Sequence, residues 1–506
     1  MKKTSLRILC ALLLCAMLPV GSLACTKDDG QQSNTPGTTA ALDSTQTTEA
    51  ETTDDGLDEN GYIEDDLPDD LNYKNETFHV LAWKHALPEF DVEALTGDVI
   101  NDAIFNRNQI VEDRLGVDLE FTVINGNNAA VASFCNTVTN SVQSNAQAYD
   151  TVASYPRSAG SLAINHMLLD MLELEYLNFE QPWWSDSLVE LNTIYNKLYF
   201  VSGDIASTLL FQMMFMIYND DLGTNLGLTN PQKLAMEGKW TQDTMLELAA
   251  NVYSDLDGNG LKSEADQYGL FSFTHPNLDI FYMGAGLNYI KPSDTGELVL
   301  ANDFASEKSM AIVDKFINIF HNSNDGYFTK SLADANNLTS GNALLYNITG
   351  QLLYNNFRYS DMAYSILPAP KYDEQQEDYL TTIAFTHTQY CVPLDARDPD
   401  MSAAVLECMA SESYRRVTPA IFETTFKYKY SNNPLDAEIF DLIRAGTVFD
   451  LGRPFHDELG SDTSGMVRYW RKSIEEGSNM LTTFNMAFER SWQKMLDKIN
   501  EKLTVD

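Results

Sequence analysis

The chain has 506 residues, enough for roughly two or three ordinary domains with well-buried cores. Its 73 Asp and Glu against 33 Lys and Arg give a formal net charge of −40, with no basic cluster to offset it. Such a surface repels phosphates and anionic headgroups, which excludes nucleic acid as a partner and a charged membrane surface as an anchor.

Lys2, Lys3 and Arg7 precede an apolar run over residues 8–20, too short to span a bilayer and of the right length for a signal peptide. The run ends in Ser22-Leu23-Ala24-Cys25, small residues before a Cys that resemble the lipobox of bacterial lipoproteins. That resemblance implies cleavage after residue 24 and lipidation of Cys25 with a palmitate-type anchor; the alternative is an ordinary signal peptide cut nearby. The mature chain would then carry 30 basic against 73 acidic residues, a charge of −43. Of the six Cys, Cys10 and Cys15 leave with the signal and Cys25 takes the lipid. Cys135, Cys391 and Cys408 can form at most one disulfide, and buried thiols are expected.

Residues 25–75 are rich in Asp, Thr, Gln, Ser and Gly and poor in large apolar side chains, so they are read as a disordered acidic tether. Order is expected from residue 77. Residues 77–83 form a first strand, residues from 98 a helix with Ile100, Ile104, Val111 and Leu115 on one face and Gly116 as its stop, and residues 117–124 a second strand. A helix over 129–144 and a strand over 149–155 complete a βαβ pattern, which implies a largely parallel sheet covered by helices. Ligands of such sheets bind beyond the carboxyl ends of the strands, where Trp83 and Tyr155 lie.

Further on, Pro182 introduces Trp183-Trp184, and residues 197–204 read as a strand ending in Gly203-Asp204. Three aromatic segments and one carboxylate can thus meet at one end of the first sheet. The competing reading is that the tryptophans anchor the core. Residues 213–218 are a continuous apolar run that suits a strand buried on both faces. Asn230-Pro231 and Gly238 punctuate the next stretch, and Thr241 or Asp243 can cap a helix carrying Met245, Leu248, Ala249 and Val252.

That helix runs into Asp255-Leu256-Asp257-Gly258-Asn259-Gly260-Leu261-Lys262-Ser263-Glu264-Ala265-Asp266, which fits the twelve-residue calcium loop at positions 1, 3, 5 and 6. Position 12 departs from the pattern, since Asp266 stands where Glu is usual and reaches the ion less easily with both oxygens. Asp255, Asp257, Asn259, the Leu261 carbonyl and Asp266 are assigned to one structural Ca2+; the alternative is a metal-free turn. Residues 267–273 read as a strand, so the loop lacks the second helix of an EF-hand.

The ordered series of apolar strand, Tyr218-Asn219-Asp220-Asp221-Leu222, Asn230-Pro231, Gly238-Lys239-Trp240-Thr241, helix, calcium loop and Tyr268-Gly269 resembles extracellular solute-binding proteins of ABC importers, in particular the family 1 type that binds oligosaccharides. It covers most of residues 76–420. The resemblance implies an α/β, two-lobed periplasmic-binding-protein-like fold with a hinge, lobe 1 being residues 76–216 and 369–415 and lobe 2 residues 217–368 and 416–506. It also implies a carbohydrate ligand, ABC permease subunits as partners, a monomer, and a place on the outer face of the cytoplasmic membrane held only by lipid. Tyr346 and Asn347 enter the ligand site on the resemblance alone. Crossings between lobes are expected near residues 216–220 and 368–371, where Pro-rich strand ends suit a hinge.

No Gly-x-Ser-x-Gly, His-Glu-x-x-His or phosphate-cradling loop occurs, and the seven His are scattered, so no enzyme is expected. Pyranose rings present CH faces to aromatic platforms, and 24 Tyr, 25 Phe and 6 Trp can supply them. A peptide-binding receptor, a structural surface lipoprotein, and a surface glycosidase, which needs only two facing carboxylates, are the alternatives.

Overall fold

A computed structural model describes residues 57–58, 60–273, 275–329 and 340–504. The signal peptide, Cys25 and the first thirty or so residues of the tether lie outside them. The architecture is α/β with two mixed sheets. In the first, the strand Glu76–Trp83 pairs in parallel with Val117–Ile124 on one side and Thr151–Ser154 on the other, and Gln389–Cys391 adds an antiparallel edge. In the second, the order is Gly326–Thr329, Tyr268–Phe273, Ala343–Thr349, Met214–Asn219 and Tyr364–Leu367. The first three of these run parallel, and Met214–Asn219 is antiparallel to both of its neighbours.

Local rules account for many of the boundaries. The helix Val99–Leu115 starts where the Asp98 carboxylate accepts from the Ile100 and Asn101 amides, and it stops at Gly116, whose φ of 60° is the left-handed cap. Thr241 caps Gln242–Ala249 in a reciprocal box with Thr244. Met214–Asn219 is buried at every position, as its unbroken apolar run requires of a strand covered on both faces. Elsewhere the elements are shorter than their patterns suggest: the expected strand over 197–204 keeps Lys197–Leu198, paired with Thr193–Ile194, and bridges from Val201 to Tyr390 and from Gly203 to Trp184. Cys135, Cys391 and Cys408 are free thiols, and burial pushes all three up in pKa.

Three passes join the sheets. Residues 204–213 leave the first sheet through the short helix Ser207–Phe211, and residues 383–388 return beside them, bridged at Met213 and Ile383, with the Ala384 amide donating to the Gln212 carbonyl at 2.8 Å. The third pass is the helix Pro399–Glu412, which packs on Val99–Leu115 and continues through two π-helical stretches into Pro434–Ala445, set against Tyr364–Leu367. The expected crossing points therefore shift: residues 216–219 are paired inside the second sheet, and Lys371 bridges Thr241 beside it. The C-terminal helix Leu481–Leu503 lies against Pro156–Ile164 of the first sheet's cover as well as against Leu298–Leu300, so it does not buttress the second sheet alone.

The tether is shorter than its composition suggests. From residue 57 the chain is folded onto the first lobe: Leu67 is in the core, Arg114 grips the Asp65 carboxylate at 2.5 Å, and Arg415 reaches Glu64 at 2.8 Å. Tyr62 packs edge-on to Tyr414. The acidic residues that would extend a free segment find arginines supplied by distant helices, and that pairing lies beyond what local composition records.

Candidate functional site

Trp83 and Tyr155 stand at the carboxyl ends of adjacent strands of the first sheet, and their rings lie 5.6 Å apart, with His85 stacked on Trp83 at 5.8 Å. The Trp83 indole N–H donates to Thr388 Oγ1 at 2.9 Å, and Thr388 meets Thr208 Oγ1 at 3.1 Å. Thr208 in turn donates through its amide and its hydroxyl to Glu89 Oε2, each at 2.7 Å, while the Tyr390 hydroxyl donates to Glu89 Oε1 at 3.0 Å. One fully buried carboxylate thereby holds both linking segments, 204–213 and 383–388, beneath the aromatic pair. Burial raises its pKa, and the hydroxyl and amide donors oppose that rise.

Facing this floor from the second lobe is an ion cluster. Asp279 opens the helix Asp279–Met283 and accepts from Arg453 Nη2 at 2.5 Å, from Arg471 Nε at 2.7 Å and from Arg471 Nη2 at 2.5 Å. The Arg453 guanidinium covers the Phe385 ring at 3.7 Å and donates to the Ile383 carbonyl at 2.8 Å. Asp450 accepts from the amides of Tyr289 and Gly452, each at 2.7 Å, and burial lifts its pKa to about 6. Two arginines and two carboxylates make the cluster neutral overall at pH 7. His387, between the two, is pushed down to about 4 by burial and carries no charge there.

The lobes are in contact at this junction. A β-carbon at Gly160, on the helix Pro156–Ile164, would lie 2.3 Å from the Pro454 carbonyl oxygen, and Arg157 of the same helix pairs with Asp457. A cavity of about 10 Å³, room for about one water, lies between Pro156, Asn192, Met283, His387, Gln389 and Asp450.

Of the residues read from the sequence, Trp83 and Tyr155 meet here. Trp183 and Trp184 meet elsewhere: both indoles donate to the buried Glu407 carboxylate, at 3.0 and 2.9 Å, and Gly203 bridges Trp184. Asp204 faces Arg444 at 3.2 Å, and burial raises its pKa to about 6. Tyr346 lies in the second sheet against Phe271, its hydroxyl accepting from the Ala343 amide; Asn347 donates to the Asn277 carbonyl. The competing reading of the tryptophans as core anchors fits their burial, since Trp83, Trp183 and Trp184 are 1 %, 0 % and 2 % accessible. Trp83 is covered at the junction between lobes, and Trp183 and Trp184 are covered where they meet Glu407. Sequence reasoning missed Glu89, Asn192, Asp279, His387, Gln389, Arg453 and Arg471. The one available signal was the run Gly452-Arg453-Pro454-Phe455-His456, two basic residues between turn formers in an acidic chain.

The acidic turn after the helix Gln242–Ala249 is a separate feature, and its donor set suits a hard cation. Asp255, Asp257 and Asp266 each offer a carboxylate oxygen within 4.8 Å of the others. The loop is closed at its base by a bridge between Ser254 and Gln267, and the Gly260 and Gly258 amides donate to Asp255, the first of these being the main cause of its depressed pKa. Asn259 donates to Asp257, and the Leu261 side chain points outward, 70 % exposed, so only its carbonyl is available to an ion.

No family model and no curated protein matches the sequence. Solved structures do match the fold. The galacto-N-biose-/lacto-N-biose I-binding protein of an ABC transporter from Bifidobacterium longum, in complex with lacto-N-biose, aligns over 84 % of this chain and 98 % of its own with a TM-score of 0.57 at 11 % identity. UgpB from Mycobacterium tuberculosis, in complex with glycerophosphocholine, covers 84 % and 98 % with a TM-score of 0.54 at 14 % identity. An ABC substrate-binding protein from Listeria monocytogenes, in complex with cycloalternan, covers 85 % and 100 % with a TM-score of 0.52 at 12 % identity. The chain has the two-lobed fold of ABC transporter substrate-binding proteins.

Proposed function

We propose that this chain is a lipid-anchored substrate-binding protein that captures a neutral carbohydrate between its lobes and delivers it to the permease of an ABC importer. The observation that carries the reading is the junction itself: an aromatic pair at two strand ends faces a buried polar cluster whose charges cancel. Apolar sugar faces suit the first, uncharged hydroxyls the second. Structures of this fold whose ligands are lacto-N-biose and cycloalternan support the same class. The reading assigns no catalysis, since Asp279 is held by two arginines and Asp450 by backbone amides, which leaves neither free as acid or nucleophile.

Trp83 and Tyr155 are the stacking residues in this reading, and the chain acts as a monomer. Anchorage rests on Cys25 and the lipobox-like residues before it, which lie outside the described residues; among the described ones no helix is long and apolar enough to cross a membrane. Asp255, Asp257, Asn259, the Leu261 carbonyl and Asp266 hold one structural Ca2+, which stiffens the turn between the helix Gln242–Ala249 and the strand Tyr268–Phe273.

A thermal-shift screen with lacto-N-biose, maltotetraose, cycloalternan and a set of tri- and tetrapeptides tests the reading. A saccharide at 100 times its Kd stabilises by about 2.7 kcal/mol, which gives a melting shift of several degrees. A shift with peptides alone, or with none of these compounds, would sink it.

A further inference from the structure

Two buried side-chain acceptors at the junction have no donor. Asn192 and Gln389 both line the cavity between the lobes, both are at most 2 % accessible, and neither Asn192 Oδ1 nor Gln389 Oε1 has a hydrogen-bond partner. Their orientations are fixed by their own amide groups. Asn192 Nδ2 donates to the Phe200 carbonyl at 3.1 Å, which can only accept. Gln389 is fixed through a relay: the Ala384 carbonyl lies 3.0 Å from His387 Nδ1 and so requires the proton there, which leaves His387 Nε2 as an acceptor for Gln389 Nε2 at 3.1 Å. Turning either amide over would set oxygen against a lone pair. Both oxygens are therefore committed as acceptors at a cavity whose wall also carries Asp450 and Arg453 and is otherwise mostly apolar, with Leu188, Leu191, Met283 and Phe449.

We infer that Asn192, Gln389 and the His387 that orients Gln389 form a hydroxyl subsite, which receives one donor hydroxyl of the bound neutral saccharide as the lobes close. This rests on the proposed function and names the part of the site that selects the ligand. The chemistry is specific. A carboxylate or phosphate oxygen would meet two acceptors and the Asp450 carboxylate, and a cation would meet the Arg453 guanidinium on the same wall. An uncharged O–H group suits both, because a buried acceptor left unpaired is costly and a single small donor fits the space. Trp83 and Tyr155 supply area; this subsite supplies discrimination between epimers and deoxy analogues.

Two measurements decide it. Calorimetric titration with the tightest-binding saccharide of the thermal-shift panel is expected to show at least a tenfold loss of affinity in Asn192→Leu and in Gln389→Met, with melting temperatures of the ligand-free variants measured alongside, since each removes an unpaired acceptor together with the one hydrogen bond its amide group donates. Unchanged affinity in both variants would overturn the inference. A crystal structure of the wild-type chain grown with that saccharide, or with erythritol if no panel member binds, needs no variant to fold. A ligand hydroxyl within about 3.2 Å of Asn192 Oδ1 or Gln389 Oε1 is the expected result. A cavity holding water alone, or nothing, with ligand bound elsewhere overturns it. Failure of every panel member to bind contradicts the proposed function, whereas binding that ignores these two residues contradicts only the subsite.

Discussion

Replacing Asp279 by Asn leaves two guanidinium groups buried around a neutral amide. The Asp279 carboxylate takes three charge-assisted bonds of 2.5 to 2.7 Å from Arg453 and Arg471, and all three side chains are at most 6 % accessible. Breaking a buried pair by deleting one partner costs about 3–5 kcal/mol, because the remaining charge has lost its compensation without regaining water. Here two charges lose it. Asp450 also acts electrostatically on Arg453, but its oxygens are already bonded to backbone amides. The cost should therefore fall at the upper end, about 5 kcal/mol, read by urea unfolding followed through tryptophan fluorescence. Adding Arg453→Met to Asp279→Asn removes one stranded charge, so the double variant should be more stable than Asp279→Asn by about 1 kcal/mol or more. A midpoint for Asp279→Asn that matches wild type, or a double variant whose losses simply add, would refute the claim that this cluster is a dry, mutually compensating unit.

Chelator should lower the melting temperature of the wild type by several degrees and leave Asp257→Ala unaffected, as expected of the proposed Ca2+ between the three clustered carboxylates; indifference of the wild type would make the loop a plain turn. His387 has a folded pKa of about 4 against 6.5 in the unfolded chain, so its neutral form adds stability that is complete above pH 6.5 and lost as pH falls from there toward 4, up to about 3 kcal/mol. Its imidazole resonance, assigned through His387→Gln, should show no titration above about pH 5, and a midpoint near 6.5 would contradict its burial. Asp65→Ala should cost about 2–3 kcal/mol by stranding Arg114, and a change under about 0.5 kcal/mol would mean that residues 57–75 are not docked in solution.

Elements of both sheets were readable in the sequence where their cues are local. Asp98 and Gly116 bracket a helix by capping chemistry, and the unbroken run at Met214–Asn219 announces a strand covered on both faces. The series of motifs from Tyr218 to Gly269 pointed to the fold that the solved structures share. The site was legible only in its strand-end members, Trp83 and Tyr155. Asp279 meets Arg453 across 174 positions and Arg471 across 192, and Trp83 meets Thr388 across 305, separations at which no periodicity or spacing carries information. Glu407 shows the same limit from the other side. The Trp183-Trp184 pair announced itself as a platform, but the acid that takes both indole protons in hydrogen bonds lies 224 and 223 residues away.

The two lobes are proposed to close on an uncharged sugar, and Gly160 against Pro454 marks where they meet. Small-angle scattering of the ligand-free chain, repeated with the tightest-binding saccharide at saturation, tests this most directly. The radius of gyration should fall on adding saccharide as the junction between residues 156–160 and 450–457 forms. An unchanged radius of gyration with the saccharide demonstrably bound would contradict closure.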